Sequence, residues 1–284
     1  MKPKVLIMTD STSDLSKTHL DKRHIVSVPL YVNFSDEIYR DGIDLTTEEL
    51  YKKVEEKGTL PTTSAVSPGD FIKIFQKYTN LDYDIIYIGI GSKISGTFQS
   101  ALIAKDEVNP EKIHLIDSLN LSSGIGLLVL KACDFRDKGY SAKQIEEEVT
   151  KLIPLVRSQF AISTLDYLHK GGRASGTAKL MGTILGIKPI IKVIDGKLDV
   201  YKKPAGKMSR ALDIMLNDFF AEIDNLDLDY VFVTHSLANK QAVYMMDKVK
   251  EKVKIKHLIE GQAGCVIGTH CGAGTIGILY IVKS

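Results

Sequence analysis

Short apolar runs alternate with amphipathic stretches along the first half of the chain. Residues 5–8 form an apolar strand that ends in the turn-prone run Thr9-Asp10-Ser11-Thr12-Ser13-Asp14. Residues 26–34 read as a second strand region, 84–90 as an unbroken apolar strand of the kind covered on both faces, and 112–116 as the next. Helix signals fall between them. Thr46 and Glu49 make a capping box whose helix should stop near Gly58. Ser67-Pro68 opens a helix over about 68–78, and further helices follow over 96–106 and 122–137. Ser141 and Gln144 form another capping box, behind which Ile145, Val149, Leu152, Ile153 and Val156 make one apolar stripe. Repeated strand–helix units predict a mostly parallel sheet.

The second half is patterned differently. Residues 189–194 and 197–201 flank Asp195-Gly196, a hairpin dipeptide, so two antiparallel strands are expected there. Strands are also expected over 160–164, 230–234, 254–259 and 276–282, and helices over 175–185, 208–223 and 238–250. The pattern changes near residues 155–165, which predicts a domain change without a flexible linker.

Composition narrows the function classes. The 284 residues are 44% hydrophobic and 25% charged, which suits a soluble globular chain rather than a disordered one. Lys plus Arg exceeds Asp plus Glu by 37 − 35 = 2, so a general nucleic-acid binder is not expected. The basic N-terminus is followed by too short an apolar run for a signal peptide, and no run of about 18 apolar residues suggests a membrane span. Cys133, Cys265 and Cys271 make no metal-ligand spacing and fit a reducing, cytoplasmic setting as small buried residues. The seven histidines show no HxH or HExxH spacing, and Walker A is absent, so neither a metal nor a resident nucleotide is expected.

Three segments combine small polar side chains with turn formers: residues 60–68, 89–97 and 261–274. In the second, Ser95 sits where a strand gives way to a helix, so its surroundings offer free N–H groups to an anion; alternatively Ser95 only caps that helix. The third contains Gly272-Ala273-Gly274-Thr275-Ile276-Gly277, a letter-for-letter GxGxxG. That run leads into a strand, and the chain ends seven residues later, so nucleotide binding at this segment is rejected. His270 lies in what reads as a glycine-rich loop, a setting that suits either a structural or a ligand-contacting histidine. Ser95 and His270 together would suit a serine esterase or acyltransferase, although Ile94-Ser95-Gly96 is not a nucleophile elbow. His169-Lys170-Gly171-Gly172-Arg173 reads as a basic turn, either solvated or a docking point for an anionic or protein partner.

Together these residues carry a resemblance. Thr9-Asp10-Ser11-Thr12-Ser13-Asp14-Leu15, Pro61-Thr62-Thr63-Ser64, Ser95-Gly96-Thr97-Phe98-Gln99-Ser100-Ala101, Leu168 to Arg173 and Gly268 to Gly274 resemble the DegV family, in order and over essentially the whole chain. Ala65 departs from the glutamine of many members, and Cys271-Gly272-Ala273-Gly274 from their Gly-Pro-Gly-Ala-like pattern. The resemblance implies a two-domain α/β fold. An N-terminal, mostly parallel, Rossmann-like sheet would occupy residues 1–160 and a C-terminal mixed α/β domain 161–284. It further implies one long-chain, palmitate-like fatty acid between the domains, its carboxylate meeting Thr63, Ser95 and His270. The protein would present that carboxylate to a separate ATP-binding fatty-acid kinase subunit, with Arg173 as the candidate docking residue, and would need no cofactor or metal.

Overall fold

In the computed structural model, which describes residues 4–173 and 186–283, the strand–helix alternation resolves into three sheets. The first half runs β1 (Lys4–Asp10), α1 (Lys17–Lys22), β2 (Ile25–Val28), β3 (Tyr31–Phe34), β4 (Glu37–Arg40), α2 (Thr47–Lys57), β5 (Thr62–Ser64), α3 (Pro68–Thr79), β6 (Tyr83–Gly89), α4 (Thr97–Val108), β7 (Ile113–Asp117), α5 (Ser123–Asp137) and α6 (Ala142–Leu152). The second half runs β8 (Val156–Ala161), α7 (Asp166–Lys170), β9 (Ile190–Ile194), β10 (Lys197–Lys202), α8 (Met208–Ala221), β11 (Leu226–Ser236), α9 (Asn239–Lys252), β12 (His257–Gln262), α10 (Cys265–Cys271) and β13 (Thr275–Val282). The helix expected over 175–185 lies outside the described residues.

The first sheet is parallel throughout, in the order β2-β1-β6-β7. The second is mixed, in the order β10-β9-β8-β13-β11-β12, with β11 and β12 its parallel pair. The capping-box and hairpin signals act as expected, whereas the stripe behind Ser141 stops with α6 at Leu152, and the strands expected over 160–164 and 254–259 lie at Val156–Ala161 and His257–Gln262. Glu49 accepts from the Thr46 N–H at 2.8 Å, and Gly58 ends α2 at φ 65°. Asp195 and Gly196 both take positive φ, as the tight β9–β10 turn requires.

The expected strand over 26–34 divides at Pro29. Proline donates no ladder hydrogen bond, and the next N–H, that of Leu30, donates to Ser11 Oγ at 3.1 Å. β2 therefore stays in the parallel sheet, while β3 turns away to pair antiparallel with β4 and β5 in a small third sheet.

α5 lies between the two large sheets, against β1 and β6 on one side and β8, β11 and β13 on the other. Its residues from Ser123 to Cys133 are all buried, Lys131 through ion pairs with Asp227 and Asp229, and the charged residues Asp134, Arg136 and Asp137 are confined to its last turn. The cluster around it joins Ile7 and Ile86 of the first sheet to Phe232 and Leu279 of the second. This shared core packs the faces of the two sheets against α5 in a fixed relation.

Candidate functional site

Four segments from distant parts of the chain meet at one cavity beside α5. β5 brings Thr63 through its pairing with Val32 of β3, and the period-2 alternation turns Thr63 inward while Thr62 and Ser64 stay exposed. The β6–α4 connection brings Ser95, the turn after α7 brings Arg173, and α10 brings His270. The cavity holds about 80 Å³, and Leu30, Leu121, Leu168, Leu198 and Ile267 supply its apolar wall. A second space of about 30 Å³ continues beyond Leu121, Ile267 and Cys271, lined further on by Phe160 and Leu279. The first cavity thus has a polar end, and the second extends its apolar wall.

His270 is the best-defined polar group. Its Nε2 lies 2.8 Å from Thr63 Oγ1, whereas its Nδ1 is buried with no partner among the described residues. Burial, and secondarily the Arg173 charge, push its pKa down to about 4, so the ring is neutral at pH 7. A neutral ring carries one proton. Placing it on Nε2 leaves no N–H orphaned against the protein. Nε2 then donates to Thr63, whose own hydroxyl proton is free to donate into the cavity. The Cα of Gly171 closes over the ring: a Cβ there would stand 2.1 Å from Nδ1.

Ser95 is half-buried, and its Oγ lies 3.0 Å from Thr97 Oγ1 and 3.3 Å from the Thr97 N–H. The helix starts one step later than the sequence suggests, with Gly96 as its N-cap, because Gly96 O accepts the first helical hydrogen bond, from Ser100 N–H at 3.1 Å. The first-turn N–H groups of α4 lack intrahelical acceptors, and Ser95 stands among them. Arg173 is exposed at the cavity rim, its Nη1 donating to Gly171 O at 2.6 Å. His169 and Lys170, expected in a turn, lie in α7.

The closing glycine-rich segment is corrected most. The sequence reads as a loop there, yet Cys265 to Cys271 form a helix with Gly264 as its N-cap. Glycine and β-branched residues favour helix weakly, so no local signal announces it. Tertiary partners supply the missing support. The Gly264 N–H donates to Asp14 Oδ1 at 2.9 Å and the Cys265 N–H to Asp41 Oδ1 at 2.7 Å. Cys265 and Cys271 are buried, and burial pushes the Cys271 thiol up to about 12, consistent with packing rather than nucleophilic use.

Ser95 and His270 line the same cavity, but the hydrogen bond of His270 goes to Thr63 and that of Ser95 to Thr97. Among the described residues, no group of three or more His, Cys, Asp or Glu side chains could hold a metal ion. Sequence reasoning missed Asp41 and the apolar wall. The wall residues come from separate segments, and each reads locally as ordinary core.

A family model described as an uncharacterised protein of the DegV family matches residues 4–283. The chain belongs to the DegV family. A DegV domain-containing protein of Clostridium acetobutylicum is 39% identical over 282 residues, 99% of each chain. A DegV family protein from Thermus thermophilus, whose structure is described as fatty acid binding, superposes with a TM-score of 0.92 at 29% identity, covering 98% of this chain and 99% of its own. A stearic acid-binding protein from Eubacterium ventriosum superposes with a TM-score of 0.87 at 26% identity, covering 98% of each chain. The DegV likeness extends over both large sheets. No helix among the described residues is long and apolar enough to cross a membrane.

Proposed function

We propose that this DegV family member binds one long-chain fatty acid, with its carboxylate at Thr63, Ser95 and His270 and its acyl chain along the apolar wall. The observation that carries this reading is the cavity itself. Two hydroxyls and a neutral imidazole cluster at one end, and leucine and isoleucine side chains line the rest. The fatty-acid-binding relatives add independent support. The energetics are favourable. Each buried methylene offers about 0.8 kcal/mol, so a full acyl chain is favoured once the apolar wall opens wider than the about 80 and 30 Å³ of the two spaces. The carboxylate needs hydrogen bonds in place of water, and hydroxyl and helix N–H donors supply them.

In this reading the ligand lies between two domains, residues 1–160 and 161–284, in a cytoplasmic protein. A separate ATP-dependent kinase subunit phosphorylates the presented carboxylate, and Arg173, exposed beside the site, is the docking residue. The acyl phosphate formed then feeds phospholipid synthesis. The DegV chain contributes binding and orientation, not catalysis. An esterase would need Ser95 activated by His270; the hydrogen bonds to Thr97 and Thr63 weigh toward the carrier.

Mass spectrometry of lipid extracted from the purified protein tests the proposal. A retained, chemically unchanged fatty acid at near-equimolar amount is expected. Absence of lipid, together with no palmitate uptake, rejects it, and turnover of an activated ester by the protein alone favours the esterase.

A further inference from the structure

The motif Thr9-Asp10-Ser11-Thr12-Ser13-Asp14 touches no part of the cavity, yet its two aspartates are almost wholly buried. Asp41, from a separate loop, is buried beside them. None of the three carboxylates has a salt-bridge partner among the described residues. Their hydrogen bonds go to backbone N–H groups and hydroxyls, and those lead to the site by two routes.

The first route runs to His270. Asp14 Oδ1 accepts from Gly264 N–H and Asp41 Oδ1 from Cys265 N–H, at 2.9 and 2.7 Å. These are the opening N–H groups of α10, and His270 sits in its last turn. Gly264 fits tightly between the two acids: a Cβ there would stand 3.0 Å from Asp41 Oδ1 and 3.2 Å from Asp14 Oδ1. The second route runs to Ser95. Asp10 Oδ2 accepts from Ile90 N–H at 2.9 Å and from the Tyr87 hydroxyl at 2.8 Å, at the start of the connection that carries Ser95. Ser122 Oγ donates to Asp14 Oδ2 and ties the group to the start of α5.

We infer that Asp14 and Asp41 are positioning residues for the head-group site: they hold the first turn of α10 and thereby set His270 against Thr63. Asp10 does the same for the Ser95 arm. Neither Asp14 nor Asp41 lines the cavity of Thr63, Ser95 and His270; both face a separate open cleft of about 960 Å³ on the other side of Gly264 and Cys265. A helix weak in intrinsic propensity needs such external acceptors, and a carboxyl oxygen accepts from an orphan N–H in either protonation state. A small displacement of α10 would break the 2.8 Å contact between His270 and Thr63.

The inference rests on the head-group reading of Thr63 and His270, so its test includes a readout that needs no ligand. Asp14→Ala, Asp41→Ala, Asp14→Asn and Gly264→Ala are compared with Met215→Ala, which truncates a buried side chain of α8. The readouts are the imidazole ¹⁵N shifts of His270 in ligand-free protein and palmitate affinity by calorimetry. The expected result is a changed His270 spectrum and about tenfold weaker palmitate binding in both alanine variants and in Gly264→Ala. Asp14→Asn, which keeps an acceptor for Gly264 N–H, should recover most of both. Met215→Ala should lower Tm while leaving the spectrum unchanged. If the aspartate-to-alanine variants fail to fold, Asp14→Asn and Gly264→Ala still decide. A wild-type His270 spectrum in Gly264→Ala, or an equal change in Met215→Ala, overturns the inference. A wild-type protein that takes up no palmitate defeats the fatty-acid reading alone, because the spectral comparison stands without it.

Discussion

The Nε2 of His270 stands 2.8 Å from the Oγ1 of Thr63, across 207 positions of sequence. A three-residue strand fixes one partner and a seven-residue helix the other. The pair turns an ordinary threonine into an oriented donor facing an apolar cavity.

Removing either hydroxyl at the polar end should weaken ligand binding without unfolding the protein. Thr63→Val keeps the β-branched shape, and Ser95→Ala removes one oxygen. Each lost hydrogen bond to a carboxylate should cost about 1.5–3 kcal/mol of binding free energy. Calorimetric titration with palmitate checks this, with far-ultraviolet circular dichroism to verify the fold. Unchanged affinity in both variants would remove Thr63 and Ser95 from the site.

His270 should make stability depend on pH. Its pKa in the fold, about 4, lies below the ordinary 6.5, because burial disfavours the charged ring. As pH falls from above 6.5 toward 4, the unfolded chain takes up the proton first, so stability is lost on acidification. Between pH 7 and pH 5 the loss should be about 2 kcal/mol. Asp10, Asp14 and Asp41 act with the opposite sign, since burial raises their pKa values and the fold holds their protons more tightly than the unfolded chain. The difference between wild type and His270→Gln isolates the histidine. Urea unfolding at the two pH values should show the smaller pH effect in the variant, and identical pH effects would refute a buried neutral ring.

Gly171 should be intolerant of even one added carbon. Its φ is not in the left-handed region, so alanine suits the backbone, but a Cβ would stand 2.1 Å from His270 Nδ1. Gly171→Ala should therefore displace the ring, cost about 1–3 kcal/mol of stability and weaken palmitate binding. In a His270→Ala background, Gly171→Ala should cost less stability than in the wild type, while binding stays lost. A double-mutant cycle by urea unfolding measures the coupling; additive effects would mean the ring and Gly171 do not meet.

Arg173 should separate docking from binding. The side chain is exposed at the rim, and a guanidinium is well suited to a protein partner. Arg173→Ala should reduce acyl-phosphate formation with the kinase subunit severalfold more than it reduces palmitate affinity. Both assays belong on the same preparation. Equal losses would assign Arg173 to the pocket, and no loss in either would leave it a solvated residue.

The capping boxes at Thr46 and Ser141, the proline start at Pro68 and the Asp195-Gly196 hairpin were legible because each depends on residues a few positions apart. Thr63, Ser95 and His270 could be singled out only as small polar groups in unusual segments and by resemblance to DegV proteins. Tertiary structure decided the rest. Pro29 splits an apolar run because Ser11 claims the next N–H; α10 forms where local propensity is weak because Asp14 and Asp41 receive its first turn. The apolar wall unites Leu30, Leu121, Leu198 and Ile267, which share no period. The sequence by itself determined the elements whose hydrogen-bond partners are near in the chain. Only the tertiary structure decided those whose partners are remote, because a backbone donor takes an acceptor wherever folding brings one within reach.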